Sequence, residues 1–136
     1  MEPELVLGTA QLGLNYGITN KDGKVSLKEA SLILKKCKKY RIKRLDTAQA
    51  YGDSEKNISA ALENSNSFII SSKLKHSSKD LFCNSDIKIW DNSLLNSLNN
   101  LKISSLDCIL VHKCSDLLRS DYEILLGWLK NIKSKG

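Results

Sequence analysis

Four times in succession, a short apolar run gives way to a longer segment whose apolar residues recur every three or four positions. No other feature constrains the fold as much. Strands alternating with helices of ten or more residues build right-handed crossovers and a parallel sheet. The first run, Leu5-Val6-Leu7, stops at Gly8. Ser26 and Glu29 follow with capping-box spacing, which lets each side chain satisfy an orphan N–H at a helix start. Behind them Leu27, Ala30, Ile33, Leu34, Cys37 and Tyr40 mark one inward helix face. Arg44-Leu45-Asp46 reads as a brief second strand, and Asp53 or Ser54 can cap a helix with Ile58, Ala61 and Leu62 inward. Phe68-Ile69-Ile70 is a third strand running into Ser71-Ser72-Lys73, followed by a polar stretch. Ile87, Trp90, Leu94, Leu98 and Leu101 then repeat the helical period. Leu106 to Val111 is continuous and apolar, as expected of a strand buried on both faces. Ser120 and Glu123 repeat the capping-box spacing before a helix carrying Leu125, Trp128, Leu129 and Ile132.

Four such units in 136 residues keep the pace of a TIM barrel, which needs eight in about 250 residues. The expected fold class is therefore α/β of the (β/α)8 barrel type with only the first four βα units, a half barrel. Residues 1–136 are expected to form one incomplete domain, without linker or internal repeat. The chain stops at Lys135-Gly136, where a helix ends and a fifth strand should begin. Truncation of a longer protein is the expected reason; pairing with another copy or a companion half to close a barrel is the alternative. Two raw sheet edges would otherwise invite aggregation.

Composition narrows the function classes. No apolar run approaches the ~18 residues of a membrane span, and the acidic start Met1-Glu2-Pro3-Glu4 is unlike a signal peptide, so a cytoplasmic address is expected. A net charge of +6 could attract nucleic acid. The one dense run, Lys35-Lys36-Cys37-Lys38-Lys39, reads instead as the solvated side of a helix, and no aromatic residues interleave with it. Cys37 and Cys108 read as small buried hydrophobes; His76, Cys83, His112 and Cys114 match no metal spacing, and no metal is expected.

Ionisable residues gather at or just beyond the strand ends: Asp46, Tyr51, Lys73 and His112. Active sites of parallel α/β folds lie at those ends. Taken singly each has a structural explanation, as a turn cap, a packed ring, a solvated lysine or a hydrogen-bonded histidine. Taken together they make a proton-delivery device. A tyrosine hydroxyl is a poor acid at neutral pH unless its anion is stabilised. A lysine ammonium about 4 Å away interacts by roughly 4 kcal/mol at an effective dielectric near 20. A carboxylate keeps that lysine charged, and a histidine can polarise a substrate carbonyl. The set suits an oxygen whose carbon receives a hydride.

The segments Leu7-Gly8-Thr9-Ala10-Gln11-Leu12-Gly13, Asp46-Thr47-Ala48-Gln49-Ala50-Tyr51-Gly52-Asp53-Ser54-Glu55, Ser72-Lys73 and Leu106-Asp107-Cys108-Ile109-Leu110-Val111-His112 resemble the aldo-keto reductases in order and spacing. The resemblance spans the chain but only the N-terminal half of a family member. It implies an oxidoreductase on a TIM barrel that reduces aldehydes and ketones with NADPH, less often NADH. It further implies Asp46, Tyr51, Lys73 and His112 as catalytic residues: Tyr51 the general acid, Lys73 the group that acidifies it, Asp46 the lysine's partner and His112 the carbonyl-orienting histidine. Gly8 and Thr9, with Asp46, match positions near the nicotinamide. Tyr16-Gly17 imitates the catalytic Tyr-Gly pair but follows the first strand, and is set aside. The family's main cofactor grip belongs to its second half, which is not among these residues, so the retained set is compatible with no activity of the isolated chain; a non-catalytic interaction or regulatory module is the competing expectation.

Overall fold

In the computed structural model of the chain, which describes residues 4–62 and 65–136, the strands form one four-stranded parallel sheet. Met1, Glu2 and Pro3, most of the acidic start noted above, lie outside the described residues. β1 (Val6–Gly8), β2 (Arg44–Asp46), β3 (Ile69–Leu74) and β4 (Cys108–Val111) stand side by side in chain order. Gly8 lies opposite Asp46, Asp46 opposite Ser71, and Lys73 opposite Leu110. A single helical turn, α1 (Ala10–Gly13), follows β1 and is too short to leave a period in the sequence. The crossovers that parallel pairing demands are α2 (Leu27–Lys39), α3 (Ser54–Ala61) and α4 (Asn84–Leu101); α5 (Tyr122–Ser134) follows β4.

α2 begins where its capping box predicts: Glu29 N–H donates to Ser26 Oγ, and Ser26 N–H to the Glu29 carboxylate. Its buried residues are Ala30, Leu34 and Cys37, and burial pushes the Cys37 thiol pKa up. Leu27 and Tyr40, expected inward, are exposed. Thirteen helical residues run about 20 Å. The three residues of β2 cover only about 10 Å, too short to bury the whole length of such a helix.

The core lies between the helices and one face of the sheet. Leu34, Leu45, Ile58, Ile70 and Leu101 make one cluster; Leu74, Phe82, Trp90, Leu125 and Trp128 make another under α4 and α5. Each such side chain contributes roughly 1.5–3 kcal/mol by leaving water. Along β3, Ile70, Ser72 and Leu74 are buried toward the helices, while Ile69, Ser71 and Lys73 point to the other, more open face. β4 departs from its expected burial on both faces. It is an edge strand, shorter than expected, with Leu110 43% exposed and Cys108 only half-buried. The opposite edge is similarly bare, with Val6 51% exposed. The run looked fully buried because apolar content records what a strand can bury, not what covers it.

The start of α5 also differs. No Ser120–Glu123 box forms; Asp121, not the expected Ser120, is its N-cap residue and makes no side-chain capping bond. Its carboxylate is taken by the Phe82 N–H and by Arg119 Nε at 3.3 Å, so a contact from the preceding crossover displaces the local cap. α4 has a capping box of its own, in which Asp86 accepts the Cys83 N–H at 2.8 Å and also receives the Lys79 ammonium. The Lys79 hydrogen bond, followed by the Cys83 amide, holds the buried Asp86 carboxyl below the ordinary carboxylate range. Unfolding releases it toward about 3.9. The unfolded chain therefore binds more protons in this window, and stability contributed by Asp86 is fully present above about pH 4 and lost as pH falls through the folded value. In urea melts, Asp86→Asn should lower the midpoint at neutral pH, with the gap to wild type closing in acid. A gap independent of pH would contradict this.

Candidate active site

The ladder continues past the strand ends and fixes where each side chain emerges. Thr9 N–H donates to Asp46 O at 3.0 Å, Gln49 N–H to Lys73 O at 3.2 Å, and His112 N–H to Leu74 O at 3.2 Å. Asp46 and Lys73 thus occupy neighbouring C-terminal strand ends on the open face. Lys73 Nζ donates to Asp46 Oδ2 at 2.6 Å and to Thr47 O at 2.9 Å. Its side chain is 16% exposed and that of Asp46 35%.

Tyr51 comes from the loop after β2 and meets Lys73 and His112. Lys73 Nζ stands 5.0 Å from the Tyr51 ring centroid, and the His112 ring meets Tyr51 edge-on with centroids 5.8 Å apart. All four strand-end residues singled out in the sequence therefore share one location. Among the described residues the Tyr51 hydroxyl makes no hydrogen bond, and the lysine reaches that ring as a nearby charge. At 5 Å and an effective dielectric near 20, a unit charge on the phenol would interact with the ammonium by about 3 kcal/mol. His112 Nδ1 is buried without a hydrogen-bond partner among the described residues, so ring packing holds this histidine in place.

A buried polar lattice holds the Tyr51 loop. Ser54 Oγ donates to Thr9 O at 2.9 Å and lies 3.1 Å from Thr47 Oγ1, while Thr9 Oγ1 donates to Asp46 O at 3.0 Å. Three hydroxyls thus join the ends of β1 and β2 to the start of α3. Beside them the Ser72 hydroxyl donates to buried Glu55 at 2.7 Å. α1 and this loop cross with no room for side chains. A Cβ on Gly13 would lie 1.8 Å from Tyr51 O and 2.3 Å from Ser54 N. Gly52 faces Gly13 O across the same crossing, in the left-handed region at φ +56°.

Gly8 and Thr9 differ in what they offer. A Cβ on Gly8 would meet nothing within 4 Å, so the open face beside Asp46 is clear. Thr9 is fully buried, and its hydroxyl is spent in the lattice. His76 binds Asp116 at 2.9 Å and Cys83 Sγ lies against Ser85 and Asp86; among the described residues no group of three or more His, Cys, Asp or Glu side chains could hold a metal. No helix there is long and apolar enough to cross a membrane.

Sequence reasoning missed the lattice, although Thr9, Thr47 and Ser54 all sit in the quoted segments. Nor did it anticipate that the Tyr16 ring lies 6.4 Å from that of Tyr51, tilted by 41°. Only the course of the loop after α1 brings these two rings together.

The sequence profile described as aldo/keto reductase family matches residues 4–136. Two solved Pseudomonas aeruginosa proteins, provisionally described as aldo-keto reductases, superpose with TM-scores of 0.68 and 0.69 at 25% and 23% identity. Each alignment covers 93% of this chain but only 51% and 49% of the other. A protein provisionally described as 2,5-diketo-D-gluconic acid reductase B superposes with a TM-score of 0.56 at 22% identity, covering 81% of this chain and 34% of its own. No curated protein matches. The chain spans about half the length of the first two solved relatives, and its four parallel βα units correspond to half of their barrel.

Proposed function

The chain belongs to the aldo/keto reductase family, and from that premise we propose that it serves NAD(P)H-dependent reduction of an aldehyde or ketone to the alcohol, with Tyr51 as proton donor. The observation that carries this reading is the Lys73 ammonium, bound to Asp46 at 2.6 Å and set 5.0 Å from the Tyr51 ring. Asp46 and the Thr47 carbonyl accept the hydrogen bonds of the lysine and hold it beside the Tyr51 ring. Lys73 in turn stabilises the tyrosinate left when Tyr51 gives its proton to the nascent alkoxide. His112, packed on the Tyr51 ring, orients the carbonyl oxygen toward that proton.

The residues fit the nicotinamide end of the cofactor. Gly8 leaves the open face clear of any side chain, and the Asp46 carboxylate beside it is partly exposed. A reduced nicotinamide, when bound, supplies the hydride that the carbonyl carbon receives. Thr9 supports this place through its hydrogen bonds to Asp46 rather than by touching a ligand with its hydroxyl. The same proposal treats residues 1–136 as the first half of a barrel. The bare edges of β1 and β4 meet the remaining four βα units, supplied by a continuation of the chain or by a companion half.

The experiment is isotope transfer. The protein, alone or in the barrel it completes, is incubated with a carbonyl compound and NADPH deuterated at the transferable position, and the alcohol is weighed by mass spectrometry. One deuterium on the carbinol carbon is expected. Binding of the carbonyl compound with no alcohol formed in either state would favour a non-catalytic module.

A further inference from the structure

We propose that Lys75, His76 and Lys113 form an anion subsite beside the reacting carbonyl, which selects carbonyl compounds carrying a carboxylate or phosphate a few bonds away. The proposal rests on the reading above only in placing that carbonyl between Tyr51 and His112. β3 and β4 end side by side, with Leu74 opposite Val111, and the His112 N–H donates to Leu74 O at 3.2 Å. Lys75 follows Leu74 directly and Lys113 follows His112, so two lysines leave adjacent strand ends next to the proposed carbonyl-orienting histidine. Both are exposed, and neither ammonium joins an ion pair among the described residues.

His76 makes this more than a pair of surface lysines. Its Nδ1–H is shared between both oxygens of Asp116, at 2.9 and 3.0 Å, and Asp116 is buried. Asp116 is itself fixed: its N–H donates to Lys113 O at 3.1 Å, and Arg119 Nη1 stands 3.9 Å from its carboxylate. The imidazole is therefore held at one nitrogen, with its side chain 34% exposed and Nε2 left for a ligand. In the imidazolium form both nitrogens donate, so Nε2–H can meet an anion while Nδ1–H stays on Asp116. The other cations of these two loops are committed elsewhere, Lys79 to Asp86, and Arg119 to Asp121 and the Lys79 carbonyl. The exposed acid nearest in the chain, Asp80, lies four residues beyond His76. A histidine that only tied the two loops together would affect every ligand alike. One that belongs to an anion subsite adds affinity only for charged ligands.

The test pairs ligands that share a skeleton and differ in charge: 4-oxopentanoate against its methyl ester, and hydroxyacetone phosphate against hydroxyacetone. Each is titrated into the full chain by ligand-observed NMR. At least one anion should bind about tenfold tighter than its neutral partner, and the pair that shows the gain tells carboxylate from phosphate. Lys75→Met and His76→Gln should each weaken that anion about fivefold and leave the neutral ligands within about twofold of wild type. Added salt should weaken the anion alone. Equal binding of anion and neutral partner, equal losses for both in the variants, or no binding of either anion would each overturn the proposal. Lys75→Met changes an exposed side chain, so it decides the matter even where His76→Gln fails to fold. Binding is read without hydride transfer. A chain that holds the anion through these residues but never forms the alcohol would sink the proposed function and leave this inference standing.

Discussion

Tyr51→Phe is expected to lower the rate of carbonyl reduction by about 10²–10⁴-fold, the usual contribution of a positioned general acid, while leaving ketone binding near wild type. Phenylalanine keeps the ring, and with it the packing against His112 and Tyr16 and the cation–π contact with Lys73. Only the hydroxyl disappears, and no described residue loses a hydrogen bond with it. The folded chain should therefore melt as wild type does. The loss should fall on the chemical step and not on affinity. A Tyr51→Phe protein that retained most of its reducing rate would mean that the proton comes from another group.

Gly13→Ala should produce the largest structural effect of any one-carbon change at this site. The new Cβ would fall 1.8 Å from Tyr51 O and 2.3 Å from Ser54 N, and both obstacles are backbone. Neither can rotate aside. Tyr51 O already accepts the Ser54 N–H at 3.0 Å, and Ser54 Oγ is bound to the Thr9 carbonyl and both threonine hydroxyls. Relief requires α1 or the Tyr51 loop to move by more than an ångström, which breaks the lattice joining β1, β2 and α3. Overpacking ordinarily costs 1–3 kcal/mol, and a collision with fixed backbone belongs at or above about 3 kcal/mol. Against a total of roughly 5–15 kcal/mol, the thermal midpoint should drop by about 10 °C. Reduction should fall further, since Tyr51 moves with the loop. A midpoint within about 2 °C of wild type would show that the crossing is looser than this geometry.

What the sequence made legible was local. Ser26 and Glu29 satisfy each other's helix start across three residues, and no distant group interferes. Asp46, Lys73 and His112 could be placed because each is anchored by the end of its own strand, and adjacent parallel strands bring those ends together. What was not legible depended on partners far along the chain. Ser120 and Glu123 have the spacing of a capping box, but the N-cap is Asp121, and the Phe82 amide and Arg119 claim its carboxylate. Leu110 has the composition of a buried residue, yet it sits on an edge strand with no neighbouring strand beyond it among the described residues. Tyr16 was set aside because it follows the first strand; that its ring lies near Tyr51, in a loop whose Gln11 and Asn20 side chains bind its carbonyl, depends on contacts its immediate neighbours do not reveal.

The central claim is that Lys73 acts through Tyr51 and not independently of it. A double-mutant cycle on the rate of carbonyl reduction, using Lys73→Met, Tyr51→Phe and the combined variant, measures this directly. Lys73→Met alone should cost about 10²-fold, the rate equivalent of the ~3 kcal/mol interaction. If the lysine works by stabilising the tyrosinate, removing it from a protein that already lacks the hydroxyl should cost almost nothing more, and the double variant should match Tyr51→Phe. Losses that multiply across the two substitutions would contradict the claim.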